Sequence, residues 1–288
     1  MHDAMPRAFA QRASWWWTLF TWVLAVSCLV VAVFPTVIAG VLGPLVGDRR
    51  RRVAHLILAG AYRLMVRVHP RYQLTMSGVE HLGAGPAILC PNHQSLADVV
   101  YLFSLPGQIR WMVKRELFHV PLFGLGLWAA GYLAVDRGDA KSALLLLARA
   151  QRGLEDGVSV LTFPEGTRSR TGELGPFNSG AARLALASGV PLIPVGVAGT
   201  DWLLPKGSAC YAARGHVAIH IGTPIRVGRD EVNARVLTRR LQQAVREARD
   251  VARARVAAAS NPRYTPRASS LDSSPGKDAS GLHKEKSS

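Results

Sequence analysis

A chain of 288 residues, 49% hydrophobic, with 35 Lys and Arg against 19 Asp and Glu, has the apolar content for one large domain with a core and a formal charge of +16. That balance excludes an acidic solvating chain and calls for an anionic partner: nucleic acid, an anionic membrane or a phosphorylated substrate. Cys28, Cys90 and Cys210 form no CxxC pair, which excludes a disulfide framework or a cysteine zinc site and fits reduced thiols in a cytosol-facing protein.

Residues 13–47 contain no charged side chain and no histidine. About 20 apolar residues suffice to cross a bilayer, and this stretch is too long for a signal-peptide core. Trp15, Trp16, Trp17 and Trp22 open it like an interfacial belt, and Arg49-Arg50-Arg51-Arg52 closes it. The charge asymmetry puts the rest of the chain on the cytoplasmic side of a cell membrane. Two shapes fit: one membrane-spanning helix, or a helical hairpin bent near Pro35.

An amphipathic helix is expected over Val53–Val68, from Leu56, Ala59, Gly60, Arg63 and Arg67. Strand-like runs come next at Tyr72–Met76, Ala87–Cys90, Ile109–Val113, Tyr132–Val135, Val158–Phe163, Leu192–Val197 and Val217–Ile221. Between them, helical patterns fall at Leu96–Phe103, Phe118–Ala130, Ala140–Glu155, Gly180–Ala187 and Glu231–Ala258. Asp230 is the expected N-cap of the last helix, and Leu237, Leu241, Val245 and Ala248 its apolar stripe. The fold class is therefore α/β: a mixed, largely buried sheet flanked by helices, preceded by the N-terminal apolar segment. Three regions result: membrane-associated helices over 1–68, a catalytic domain over 69–258, and a tail over 259–288 whose Ser, Pro and Lys content predicts disorder.

Two strands share a pattern. Ala87–Cys90 runs into Pro91-Asn92-His93, and Val158–Phe163 into Pro164-Glu165-Gly166-Thr167-Arg168-Ser169. Sheets of this class build their sites at strand carboxyl ends, and a proline there is expected to stop ladder pairing. His93 and Asp98, five apart, meet only if His93 lies in the loop and Asp98 in the first helical turn, with Ser95 as N-cap. Asp98 can then either cap the helix or fix the imidazole so that its other nitrogen takes a proton. No G-x-S-x-G elbow supplies a serine, so the substrate's own hydroxyl is the expected nucleophile. In the second loop Gly166 allows close approach to a ligand, Thr167 and Ser169 offer hydroxyls, Glu165 can accept from a substrate hydroxyl, and Arg168 can grip a phosphate.

Asn92-His93-x-x-x-x-Asp98 and Phe163-Pro164-Glu165-Gly166-Thr167-Arg168-Ser169 resemble the NHxxxxD and FPEGTRS blocks of the glycerolipid acyltransferase family. Lys114-Arg115-Glu116-Leu117, Gly131 with Asp136-Arg137, and Val190 to Val195 resemble three further blocks, in the family's order. The resemblance implies transfer of an acyl chain from acyl-CoA or acyl carrier protein to the 2-hydroxyl of 1-acyl-sn-glycerol-3-phosphate, giving phosphatidic acid. It implies His93 as base, Asp98 as its orienter and Arg168 as the phosphate ligand, assisted by Lys114 or Arg137. Glu165, Gly166 and Thr167 shape the acceptor site, and no metal or cofactor is implied. Pro121, Leu122, Phe123, Gly124 and Trp128 form either an acyl channel or ordinary core. The chain departs from the family at Asn178, where many members carry lysine; that leaves room for another lysolipid, such as a lyso-ornithine lipid or a lysophospholipid. Two rivals of other classes are a non-catalytic membrane protein that binds anionic lipid, and a nucleic-acid binder. The latter lacks any RRM, KH or zinc-finger signature, so no nucleic-acid partner is expected.

Overall fold

The computed structural model describes residues 15–259 apart from Ala84, 137–139, 170–171 and 229–232. Arg137, Asp230 and the tail from Ser260 onward lie outside the described residues, and so do the expectations placed on them.

Seven strands form one sheet in the order β1-β7-β6-β2-β5-β3-β4. They are β1 (Tyr72–Ser77), β2 (Ile88–Pro91), β3 (Ile109–Lys114), β4 (Leu133–Val135), β5 (Ser159–Leu161), β6 (Leu192–Ala198) and β7 (Gly215–Ile221). All neighbours are parallel except β6 and β7. The central strands β2 and β6 are buried at every position, which is why they read as unbroken apolar runs rather than as alternating ones.

Helices cover both faces. On one lie α2 (Arg52–Val68), α3 (Ala97–Leu102) and α4 (Phe123–Ala129), packed through Leu58, Tyr62, Leu102 and Leu127. On the other lie α5 (Ala140–Glu155), α6 (Gly180–Ser188) and α8 (Ala234–Ala259), through Leu154, Leu184, Leu237, Leu241 and Val245. Helix α8 closes so tightly on β6 that a Cβ on Gly196 would stand 2.1 Å from the Ala248 carbonyl carbon. A short α7 (Thr200–Leu203), which no sequence pattern announced, comes after β6.

Local chemistry explains the departures from the expected boundaries. The helix expected over Phe118–Ala130 is split. A 3₁₀ turn covers Arg115–His119, and α4 starts only at Phe123. Pro121 disfavours helical geometry at the residue before it, and Leu122 adopts φ 62°. Pro91 does not stop the ladder: it pairs with Val195, and the Asn92 N–H still reaches the Val195 carbonyl at 3.3 Å. Asn233 caps α8, its Oδ1 accepting from the N–H groups of Arg235 and Val236 at 3.0 and 3.2 Å.

The apolar N-terminus is one helix, α1 (Trp15–Leu42), running on through Pro35. The hairpin bent at Pro35 does not form. Instead α1 lies lengthwise along the domain. Near its start the Trp22 indole N–H donates to Ala209 O at 2.8 Å, Thr18 Oγ1 accepts from Tyr211 N at 2.9 Å, and Thr21 Oγ1 meets His69 Nε2 at 3.1 Å. Near its end Gly40 abuts Ala129, where a Cβ would meet the carbonyl oxygen at 2.5 Å. Ala32, Val33, Thr36 and Gly40 are buried, whereas Val23, Val26, Val31, Phe34 and Ile38 remain exposed.

The four arginines do more than carry charge. Asp48 caps α2 by accepting from Arg52 N and Val53 N at 2.8 and 2.9 Å. Arg51 turns inward, donating to Trp128 O and Ala129 O with its guanidinium 5.2 Å from the Trp128 ring centre.

His55 on α2 is buried between Tyr132 OH, 3.0 Å from Nδ1, and Gly107 O, 3.3 Å from Nε2. The carbonyl can only accept, so Nε2 carries the hydrogen and Nδ1 accepts from the tyrosine. Burial holds the His55 pKa down to about 4, against a smaller opposing pull from the Gly107 carbonyl. The unfolded chain takes up this proton near pH 6.5 and the folded chain only near 4, so between those values the unfolded state binds more protons. Stability from this site is complete above about 6.5 and declines as pH falls towards 4. At full extent the difference is on the order of 3 kcal/mol. Melting curves between pH 7.5 and 4.5 should therefore show a shallower decline in His55→Gln than in the parent chain; parallel declines would contradict this account.

Candidate active site

The carboxyl ends of β2 and β5 deliver the two polar loops to one place. Beyond β2, the Asn92 side chain continues the sheet, its amide N–H donating to Val197 O at 3.0 Å and its carbonyl accepting from Val197 N at 2.7 Å. The chain then turns, and His93 stands on the loop with Asp98 in the first turn of α3. His93 Nδ1 lies 2.7 Å from Asp98 Oδ2, with Asp98 fully buried and the His93 side chain 16% exposed.

Asp98 orients the imidazole and braces the loop ahead of α3 rather than capping the helix. Its Oδ2 also accepts from Gln94 N at 2.7 Å and Ser95 N at 2.9 Å, and its Oδ1 from the Thr200 hydroxyl at 2.5 Å. Ser95 is not the N-cap, because α3 begins at Ala97. The Ser95 hydroxyl accepts from Ala97 N at 3.1 Å and donates to Leu204 O at 2.6 Å. Four donors leave the carboxylate no other orientation. As an acceptor it requires hydrogen on Nδ1, so Nε2 presents a lone pair. The imidazole stacks on Phe163, ring centres 4.0 Å apart, and no partner among the described residues engages Nε2.

Glu165 binds backbone rather than standing free. Its Oε1 accepts from His93 N at 2.8 Å and its Oε2 from Gly175 N at 2.9 Å. Burial raises its pKa, and these two donors partly offset that. The carboxylate thus brackets the two loops together, a role the sequence did not suggest. Gly166 takes φ 68°, a conformation glycine adopts without strain. The far side of the second loop is tied to α8, where Arg249 and Arg253 donate to Gly172 O and Gln242 to Gly175 O.

His93, Lys114, Glu165, Gly166 and Thr167 all line one cavity of about 640 Å³, a size suited to a small-molecule ligand. Part of its wall is apolar, with Val99, Phe103, Phe123, Leu127, Leu146 and Leu147, and part polar, with Asp136, Asn178 and Arg183. Phe123 lines this cavity, whereas Pro121, Leu122, Gly124 and Trp128 do not, Trp128 lying against Arg51. Arg168 is not among the lining residues; its carbonyl accepts from Lys206. Lys114 Nζ sits 3.0 Å from Glu116. Sequence reasoning missed Thr200 and Arg183. Thr200 reaches Asp98 across 102 positions, beyond any local pattern, while Arg183 falls on the cavity face of α6, one turn after Ser179.

The arrangement can take a proton at Nε2 beside a partly apolar cavity open to substrate. A family model described as Acyltransferase matches residues 73–198. The chain is 34% identical over 208 residues to a chloroplastic 1-acyl-sn-glycerol-3-phosphate acyltransferase of Brassica napus, covering 72% of this chain and 60% of that one. It is 35% identical over 158 residues to the 1-acyl-sn-glycerol-3-phosphate acyltransferase of Pseudomonas aeruginosa, covering 54% and 61%. It thus spans about three fifths of the length of these curated relatives. The crystal structure of the 1-acyl-sn-glycerophosphate acyltransferase PlsC from Thermotoga maritima shares the fold, with a TM-score of 0.65 at 22% identity, over 82% of this chain and 95% of that one. Residues 73–198 thus form a domain of the acyltransferase family, in a chain similar to 1-acyl-sn-glycerol-3-phosphate acyltransferases.

Proposed function

We propose that this protein transfers an acyl chain from a thioester, acyl-CoA or acyl carrier protein, to the 2-hydroxyl of 1-acyl-sn-glycerol-3-phosphate, giving phosphatidic acid. The observation that carries the reading is the His93–Asp98 pair, with Nε2 open, on the wall of a cavity that is apolar over much of its lining. The names of the relatives support the choice of acceptor.

His93 Nε2 takes the proton of the acceptor hydroxyl as its oxygen bonds to the thioester carbonyl carbon. Asp98 holds the tautomer and balances the imidazolium that forms. The tetrahedral intermediate collapses, the carbon–sulfur bond breaks, and His93 returns the proton to the departing thiolate. A thioester is already activated, so the step needs no cofactor or metal. Glu165, Gly166 and Thr167 shape the acceptor site from the cavity wall, while Arg168, which the resemblance makes the phosphate ligand, does not line the cavity. Labelled acyl-CoA and a panel of lysolipids, offered to the detergent-solubilised protein, test this. Preferred acylation of lysophosphatidate is the expected result, and preference for a lyso-ornithine lipid or lysophospholipid would reassign the acceptor.

The reading includes attachment to a cell membrane at its cytoplasmic face through α1. Because one side of α1 is bonded along the domain from Thr18 to Gly40, it lies in the plane of the bilayer with Val23, Val31 and Phe34 in the acyl region, and does not cross. In a background lacking Cys28, Cys90 and Cys210, Trp15→Cys and Gly47→Cys should both react with an impermeant maleimide from the same side of sealed vesicles. Labelling from opposite sides would restore a spanning helix.

A further inference from the structure

The cavity's basic side chains are unequally committed. His93 is bonded to Asp98, and Lys114 is paired with Glu116 at 3.0 Å. Asp136, an acid on the same wall, is gripped by Arg115 through both oxygens. Asn178 cannot stand in for a cation. Its amide N–H donates to Pro164 O at 2.6 Å and its carbonyl accepts from Gly180 N at 3.1 Å, so both ends hold backbone. Arg183 lines the cavity and is exposed, with no acidic partner among the described residues. Its position is fixed by α6, where Leu184 and Ala185 are buried in the core and the Arg183 N–H bonds Ser179 O at 2.9 Å, while Ser179 shares the cavity wall.

A guanidinium on the cavity wall with no acidic partner among the described residues suits a planar or tetrahedral oxyanion, which it can engage with two parallel N–H donors. We propose that Arg183 binds the phosphate of the lysolipid acceptor and sets the preference for a phosphate-terminated headgroup. This rests on the acyltransferase reading above. It also supplies a cation for an acceptor phosphate where Asn178 stands in place of lysine, since Arg183 lies in the first turn of the helix that follows. The acyl donor offers a second phosphate source when it is acyl-CoA, so the two substrates are varied separately.

The test is steady-state kinetics of the full-length chain in mixed micelles, with acyl-CoA and lysophosphatidate, for the parent, Arg183→Ala, Arg183→Lys, and Arg183→Ala combined with Asn178→Lys. In Arg183→Ala the KM for lysophosphatidate should rise about tenfold, as for loss of a charge-assisted contact, while kcat and the KM for acyl-CoA stay within about twofold. Arg183→Lys should recover part of the loss, and so should the added lysine at position 178. An unchanged acceptor KM, or a rise confined to acyl-CoA, overturns the inference. Failure of the parent chain to acylate lysophosphatidate overturns the underlying reading, and the inference with it, before any variant is compared.

Discussion

Acyl transfer by His93→Ala is expected to fall by about 10²–10⁴-fold, the contribution of a positioned general base, while the protein remains folded. The two halves of this prediction come from different contacts. Activity goes because Nε2 is the cavity-facing nitrogen, and no neighbour can replace it. Glu165 is committed to His93 N and Gly175 N, and Asp201 to Gln94. Stability stays because the imidazole is partly exposed and its one hydrogen bond among the described residues ends on Asp98, which keeps three other donors. Turnover of labelled acyl-CoA and the melting temperature of the same preparation decide it. Retention of a tenth of the activity would remove His93 from the chemistry, and loss of the melting transition would make it a structural residue.

Asp98→Asn should cost both. The amide must turn one N–H face towards donors that now meet a donor: His93 Nδ1, Gln94 N and Ser95 N around one oxygen, and Thr200 around the other. With Asp98 fully buried, uncompensated donors and a lost charge-assisted network amount to about 3–5 kcal/mol. The imidazole also loses what fixes its tautomer, so turnover should fall by about 10²–10⁴-fold in whatever fraction folds. Paired measurement separates this variant from His93→Ala: both lose turnover, and only Asp98→Asn also loses several degrees of melting temperature. An Asp98→Asn protein as stable as the parent would mean that the four short contacts carry no net stability.

How much of this was legible depends on the range of each interaction. The buried strands, the α8 stripe and the loops at the ends of β2 and β5 are local patterns, and the meeting of His93 with Asp98 spans only five residues. Pro121 was visible too, though its break was outweighed by the apolar run around it. What could not be read reaches across the chain: Thr200 onto Asp98, Glu165 onto His93 N, and Arg249 onto Gly172. The N-terminal segment shows the limit most clearly. Its length and apolarity were plain, but not which side is covered. The one hint was small side chains four apart, Ala32, Thr36 and Gly40, on the face that meets Ala129 of α4 and the side chains of α2.

The bracket made by Glu165 bears on how such a site changes over generations. Coupling between distant positions is usually sought as two side chains that vary together. Here the carboxylate answers to two main-chain N–H groups, and Asp98 to two more. Main chain offers the same donor whatever residue other than proline stands there, so one member of each pair is almost insensitive to mutation. The residues at positions 94 and 95 are free to drift so far as these bonds are concerned, proline apart, whereas a Cβ at Gly175 would stand 3.2 Å from Glu165 Oε2. These backbone bonds hold parts of the site to one another, yet they would leave no trace in paired substitutions.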